Sequence, residues 1–257
     1  MTACGPVVVV MAARAEMTQL PRFAVRGRFH RAGTPRVIAV RSGIGLAKAA
    51  HATDAAIDRW QPSAVLVAGV AGGLQSNLTP GTTCLLRSLR VEDPPRGTSL
   101  SMASWDRERP AMDAPTSMAL TDAMGCALEN VGQVVCTGVG WSVDRVIGPG
   151  PKRELGATGA LTVDTESYAA LGSAAARGVP AAVLRVVADP LPRGIPASLN
   201  ALAWVEGGPW WPAIFNLWRL PFETADIRQF RHDLRHGLHG LRGVLPIALD
   251  ALAEINV

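Results

Sequence analysis

Short apolar runs that end in glycine or in an acidic residue alternate with longer helical stretches along most of this chain. The strongest apolar runs, which we predict to be buried strands, are residues 6–10, 36–40, 64–68 and 181–187. Helical patterns follow several of them, at residues 46–60, 118–130 and 166–177. This alternation is typical of a sheet covered by helices on both faces. We therefore predict an α/β fold with three α/β/α layers and a mixed central sheet.

The remaining segments are shorter or more irregular. We predict further strands at residues 82–89, 133–137 and 160–163, and a surface loop at residues 92–115. Beyond residue 190 the composition becomes aromatic and then basic. A basic helix is predicted over residues 223–241, and a last helix over 247–255 after a break at Gly243 and Pro246. The predicted organisation is a catalytic domain (1–190), and an aromatic and basic C-terminal helical extension (191–257) packed on the same domain.

Composition and charge exclude several classes of protein. Hydrophobic residues make up 48% and charged residues 18%, which is ordinary for a globular domain, and the net charge of +4 is too small for a nucleic-acid-binding tail. None of the four cysteines forms a C-x-x-C pair, so we expect reduced thiols. With no signal-peptide pattern and no long apolar segment, we predict a cytoplasmic protein that contacts membranes at most peripherally.

Two glycine-rich segments follow predicted strands, at residues 42–45 and 69–73. Glycine permits positive φ and close approach of the backbone to a ligand, and the helix N-terminus that follows favours anions. Either segment alone is equally compatible with a tight turn. The pair Gly43 and Gly45 also suggests a dinucleotide-binding oxidoreductase, but Lys48 stands where the third glycine of that motif belongs, and no acidic residue ends the next strand.

Two carboxylates follow later strands. Glu166 opens a predicted helix, and Asp189 comes directly after the strand at residues 181–187. Paired carboxylates in different environments can divide the work between binding sugar hydroxyls and donating a proton to a leaving group. The alternatives are an acid that stabilises a helix N-terminus for Glu166, and a turn residue before proline for Asp189.

Four motifs in order resemble the purine nucleoside phosphorylase/methylthioadenosine nucleosidase superfamily: Arg41-Ser-Gly-Ile-Gly45, Ala68-Gly-Val-Ala-Gly-Gly-Leu74, Val163-Asp-Thr-Glu-Ser167 and Val183-Leu-Arg-Val-Val-Ala-Asp189. The resemblance covers residues 6–190. It implies that Glu166 holds the ribose hydroxyls, that Asp189 protonates the purine, and that Glu16 activates water. It also implies a homo-oligomer that requires no cofactor and no metal.

The same resemblance implies the remaining site residues. The substrate would be bound by Gly69, Val70, Ala71, Gly72, Asp164 and Thr165, with Trp141 and Val143 facing the base. Arg41, Ser42 and Gly43 would hold phosphate if phosphate is the acceptor. Thr165, Val70 and Ala188 differ from the residues usual in the family at those places, which leaves the substrate and the choice between water and phosphate open. Arg185 is expected to pair with Asp189 or Glu166.

The chain is more narrowly similar to the hopanoid-associated phosphorylase branch, through Ser142-Val-Asp-Arg-Val146, Ala188-Asp-Pro190 and the aromatic, basic C-terminal region. That similarity implies release of adenine from adenosylhopane, in which the aromatic residues would face lipid, unless they complete a core or a subunit interface. The alternatives are a methylthioadenosine, S-adenosylhomocysteine or futalosine nucleosidase, and a non-catalytic lipid-binding protein on the same fold. His232, His236 and His239 share a helical face that could bind metal, although neighbouring arginines disfavour it.

Overall fold

The computed structural model describes residues 5–20, 37–91, 114–196 and 224–255. The eight strands in this part of the chain are β1 (Val7–Met11), β2 (Val37–Arg41), β3 (Ala64–Gly73), β4 (Thr83–Val91), β5 (Ala114–Pro115), β6 (Val135–Ser142), β7 (Thr162–Asp164) and β8 (Ala181–Asp189). The helices are α1 (Arg14–Met17), α2 (Leu46–Trp60), α3 (Met118–Asn130), α4 (Pro149–Gly156), α5 (Ser167–Ala176) and α6 (Thr224–Glu254).

One mixed sheet contains all of these strands. Strands β2, β1, β3 and β8 lie side by side in parallel. Strand β8 then pairs antiparallel with β4, β4 pairs parallel with β6, and β6 pairs parallel with β7. Because β7 pairs antiparallel with the end of β3, the strands from β3 round to β7 form a closed ring. The ring brings the ends of β3, β7 and β8 together.

Two separate cores cover the two faces of the sheet. Alternate residues of β1, β3 and β8, such as Val9, Leu66 and Leu184, pack with α3 and α6. The intervening residues, such as Val8 and Val67, pack with α2 and α5. The alternation follows from the two-residue period of a strand that is buried on both sides. The predicted α/β/α layers and mixed sheet are therefore confirmed.

Two local predictions were wrong, and three elements were not predicted. Residues 69–73, predicted to be a turn, continue β3, because Gly72 and Gly73 pair with β7 while Gly72 also pairs with β8. Helix α6 runs unbroken through Gly243 and Pro246, since the apolar residues on both sides of the proline are buried in the core. Helix α4 forms where no element was predicted, and so do the short elements α1 and β5.

The C-terminal helix α6 packs into the main core. Leu241, Leu245 and Leu249 lie in the same cluster as the residues of β1, β3 and β8. Helix α6 also crosses β8 closely: a Cβ atom on Gly237 would lie 2.6 Å from the Cβ of Ala188. A side chain at Gly237 would therefore push the helix away from the strand that carries Asp189. In the described part of the chain, no helix is both long and apolar enough to span a bilayer.

Candidate active site

The strand ends that carry the predicted site residues meet at one place. In the strand register, Gly72 of β3 stands opposite Asp189 of β8 and opposite Val163 of β7. Gly69 stands opposite Arg185, which precedes Asp189 by four residues on β8. Residues far apart in the sequence are therefore neighbours across three adjacent strands, where ligands bind in open α/β folds.

Arg185 is the buried cation at the centre of this site, with 1% of its side chain exposed. Its Nε lies 3.0 Å from Asp164 Oδ2, and its Nη2 lies 3.4 Å from Glu166 Oε2. Nη2 also donates to Ser167 Oγ at 2.8 Å. Of the two partners expected for Arg185, it is Glu166 that pairs with it, while Asp189 pairs with a different cation.

Asp164 is bound on all sides by the protein itself. Its Oδ1 accepts hydrogen bonds from Ser142 Oγ at 2.7 Å, from the backbone N–H of Glu166 at 3.0 Å and from that of Ser167 at 2.9 Å. Burial alone would raise the pKa of Asp164, but Arg185 and these donors hold that pKa below its ordinary value. Asp164 is thus an ionised anchor for the start of α5. Its predicted contact with substrate stays a prediction.

Glu166 projects from the start of α5 into the site. Its Oε1 accepts hydrogen bonds from the Thr165 hydroxyl and, at 3.2 Å, from the backbone N–H of Gly45. Gly45 has a φ of 111°, a conformation that side chains disfavour, so the loop before α2 can approach Glu166 only through a glycine. Burial raises the pKa of Glu166 to about 7, although Arg185 opposes the increase. Near neutral pH this carboxyl is therefore partly protonated.

Glu16 reaches the same cluster from α1. Its Oε1 accepts from the backbone N–H of Val70 and its Oε2 from that of Ala13, both at 2.8 Å. Burial raises the pKa of Glu16, and Arg185 opposes this. Gly69 is required beside it, since a Cβ there would lie 2.4 Å from Glu16 Oε1. One guanidinium thus faces three carboxyl groups, which favours retention of a proton by Glu16 or Glu166.

Asp189, at the end of β8, has its own buried partner, which was not predicted from the sequence. Lys152 of α4 places its Nζ 2.5 Å from Asp189 Oδ2 and 2.8 Å from the backbone carbonyl oxygen of the same residue. Burial raises the pKa of Asp189, while Lys152 opposes the increase. The available signal was composition: lysine occurs only at positions 48 and 152, against a total of 25 basic residues.

The other predicted site residues lie around these groups. Val143 is buried in a small cluster against which Trp141 packs, and the Trp141 indole N–H donates to Thr158 Oγ1 at 3.1 Å. Arg41 ends β2 and is exposed. The Ser42 hydroxyl contacts the carbonyl oxygens of Gly43 and Met11, at 2.9 and 3.4 Å. The predicted roles of these residues toward base or phosphate remain predictions.

The histidines of α6 do not form a three-ligand site. Nε2 of His232 and Nε2 of His236 are 3.2 Å apart, and both side chains are exposed. Within the described residues, no group of three or more histidine, cysteine, aspartate or glutamate side chains could hold a metal ion.

The fold and this carboxyl-rich site define a class of nucleoside-cleaving proteins. Residues 2–206 match the family model of the phosphorylase superfamily, and the chain belongs to that superfamily. The predicted enzyme class, cleavage of nucleoside N-glycosyl bonds by a phosphorylase or nucleosidase, is thereby confirmed. A comparison with curated proteins finds no significant match.

Solved structures share the fold over nearly the whole chain. A Helicobacter pylori 5'-methylthioadenosine/S-adenosylhomocysteine nucleosidase matches with a TM-score of 0.70 at 19% identity, covering 96% of this chain and 99% of that chain. Futalosine hydrolase from the same organism also reaches 0.70 at 19% identity, covering 97% and 99%. A Neisseria meningitidis nucleosidase of the first type, in complex with methylthio-immucillin-A, reaches 0.67 at 19% identity, covering 96% and 99%. At this identity, the similarity establishes the fold alone.

Proposed function

We propose that this protein hydrolyses the N-glycosidic bond of a purine nucleoside, with adenine as the base. One observation carries the proposal. Strand β8 presents Asp189 at its end and Arg185 four residues earlier, and Arg185 faces Glu166 and Glu16. One rigid strand thus carries the group suited to protonating a base and the arginine that faces Glu16, the group suited to activating water.

Asp189 is the proposed proton donor to the purine. Departure of a neutral base from the ribose requires a proton on the base, and a buried carboxyl of raised pKa is suited to supply it. Its Oδ2 is occupied by Lys152, but within the described part of the chain no hydrogen bond is made to Oδ1. That oxygen is the one we assign to the base.

Glu166 is the proposed ligand of the ribose hydroxyls. The bond breaks through a transition state with positive charge on the sugar, which a nearby carboxylate stabilises. Glu166 is held in place by Gly45 and Arg185, so stabilisation of the charge on the sugar requires no rearrangement of the site. Thr165, which donates to the same carboxyl, fixes the orientation further.

Water suits this site better than phosphate. An anionic acceptor would have to lie beside Glu16 and Glu166, with Arg185 already paired to Asp164 and Glu166. Glu16, which is buried and hydrogen-bonded to Val70, is the proposed base that takes a proton from water. The Ser42 hydroxyl contacts backbone carbonyls instead of pointing free toward an anion.

The group on the 5' carbon of the ribose is the finer part of the proposal. The solved structures of similar fold include enzymes for methylthioadenosine, S-adenosylhomocysteine and futalosine. The narrow sequence similarity supports adenosylhopane instead. The aromatic residues invoked for lipid contact, which are Trp204, Trp210, Trp211, Phe215, Trp218 and Phe222, lie outside the described residues. Assembly into a homo-oligomer and peripheral membrane contact belong to the same proposal.

Base release from a panel of nucleosides tests these assignments. Adenosine, methylthioadenosine, futalosine and detergent-solubilised adenosylhopane would be incubated with and without phosphate, and the sugar product analysed. Hydrolysis predicts a sugar product with a free hydroxyl at C1, which is ribose from adenosine and a 5-substituted ribose from the other substrates, and no sugar 1-phosphate. Phosphate-dependent release would contradict the choice of water, and equal rates on all substrates would contradict adenosylhopane as the preferred one.

A further inference from the structure

Lys152 is enclosed by oxygen atoms. Its side chain is 1% exposed, and its Nζ contacts Asp189 Oδ2 at 2.5 Å and the Asp189 carbonyl oxygen at 2.8 Å. The carbonyl oxygens of Pro190 and Arg193 are each 3.4 Å away. A protonated amine offers three donors and no acceptor, which matches a shell made only of acceptors. The ammonium form of Lys152 is therefore the form that this shell stabilises while Asp189 is ionised.

The other charged groups near the pair largely compensate each other. Asp233 of α6 raises the pKa of Asp189, and Arg193, from the segment after β8, lowers it. Arg193 and Asp233 are themselves ion-paired. Since these two charges offset each other, Lys152 is the cation that governs the proton on Asp189.

Lysine differs from arginine in a way that matters here. A guanidinium does not release its proton in proteins, whereas a buried ammonium does so readily. Burial lowers the pKa of Lys152 and raises that of Asp189, which brings the two groups toward equal affinity for one proton. Most basic positions of this chain are arginines, yet a lysine occupies this one.

Resting on the proposed function, we propose that Lys152 is the proton source behind Asp189 in base release. In the resting pair, Lys152 is an ammonium and Asp189 a carboxylate. As the bond between ribose and base breaks, its electron pair goes to the purine. Lys152 gives a proton to the Asp189 carboxylate along their hydrogen bond, and the neutral carboxyl group, after rotation about its Cβ–Cγ bond, gives that proton to the purine. The pair ends as a neutral amine and a carboxylate, and solvent restores the missing proton. Lys152 is thus a positioning residue that acts through Asp189.

Lys152→Met tests this by comparing leaving groups. Release of adenine from adenosine or methylthioadenosine is expected to fall roughly 100-fold or more, the scale of general acid catalysis. Hydrolysis of para-nitrophenyl riboside, whose leaving group needs no proton, is expected to stay within about threefold of wild type. Lys152→Gln keeps N–H donors for the carbonyl oxygens, and we expect it to show the same rates on both substrate types as Lys152→Met. Arg153→Gln, on the exposed side of the same helix, is the matched control. Equal losses on both substrate types would show a purely structural tether and overturn the inference.

The pH profile of adenine release further distinguishes proton supply by Lys152 from a purely structural role. In the wild type, the pair keeps its transferable proton until Lys152 loses it. In Lys152→Met, Asp189 must hold the proton alone and loses it at lower pH. The basic limb of the profile is therefore expected to move to lower pH by at least about one unit, and the variant's activity to recover toward acid pH. Titration of Glu166 affects both proteins in the same way. A profile that is lowered but not shifted would overturn the inference.

Nuclear magnetic resonance of the free protein gives a readout that needs no turnover. With lysine labelled on Nζ, only Lys48 and Lys152 give side-chain signals, and Lys152→Met assigns them. Removal of the carboxylate in Asp189→Asn is expected to lower the pKa of Lys152, because the attraction that favours the ammonium is lost. An unchanged titration would overturn the inference even if the wild type cleaves nucleosides. A shifted titration in a protein that cleaves none would instead overturn the proposed function.

Discussion

Substitution of Gly69 by alanine is expected to disable the site while leaving the protein folded. The new Cβ would lie 2.4 Å from Glu16 Oε1 and 2.6 Å from Arg185 Nη1, whereas ordinary contacts begin at 3.4 Å. Glu16 would have to retreat by about 1 Å, which weakens its hydrogen bond from Val70. Overpacking of this kind costs about 1–3 kcal/mol, and loss of a hydrogen bond to a charged group a further ~2 kcal/mol.

The assay combines stability with turnover. A loss of about 3–5 kcal/mol in the free energy of unfolding lies below the stability of an ordinary domain, so Gly69→Ala should still fold. A displacement of about 1 Å in Glu16, the group that we propose to activate water, is expected to lower the rate of base release roughly 100-fold. Urea unfolding and adenine release from the same preparation measure the two effects.

Gly125→Ala is the matched control for this prediction. Gly125 lies within α3, and a Cβ there would meet only Leu85, at 3.6 Å. This variant should be more stable by about 0.5–1 kcal/mol, because alanine favours a helix over glycine, and its turnover should be unchanged. Wild-type rates in Gly69→Ala would refute the reasoning that Glu16 and Arg185 need that space.

Two further predictions follow from the fold and from protonation. Burial raises the pKa of Glu166 from 4.5 to about 7, so the folded protein binds this proton more tightly than the unfolded chain does. The resulting contribution to the free energy of unfolding is roughly 3 kcal/mol; it is present below pH 4.5 and is lost as the pH rises through 7. Urea titrations across that interval should show a smaller loss in Glu166→Gln, and equal slopes in both proteins would contradict the assignment. Pro246→Ala should restore a helical hydrogen bond within α6 and raise the unfolding free energy by about 1–3 kcal/mol, so a lower melting temperature would show that the proline is needed for packing.

Much of the fold was predictable because buried strands and amphipathic helices follow short sequence periods. The strands around Val8, Leu66 and Leu184 were found from their apolar runs alone. Residues 69–73 were not, because glycines normally indicate turns, and only pairing with two distant strands keeps them extended. The prediction of a helix break at Pro246 was wrong for a similar reason. Local propensity favours a break there, whereas burial of the residues around the proline preserves the helix.

The site was predictable where it is local and not where it depends on distant contacts. Glu166 and Asp189 follow strands directly, so their position in the sequence reveals their place in the sheet. The link between Glu16 and Val70 spans 54 positions, and that between Lys152 and Asp189 spans 37. No periodicity connects such residues, and α4, which carries Lys152, is only eight residues long. The rarity of lysine was the one sequence signal for it.

The central claim is that the carboxyl of Asp189 releases a purine base from its ribose. The most direct measurement compares adenine release by the wild type and by Asp189→Asn, with Asp122→Asn as the control for the same chemical change on the exposed face of α3. We expect base release by the wild type and the control, and a loss of roughly 100-fold or more in Asp189→Asn. Release at the wild-type rate by Asp189→Asn would contradict the account.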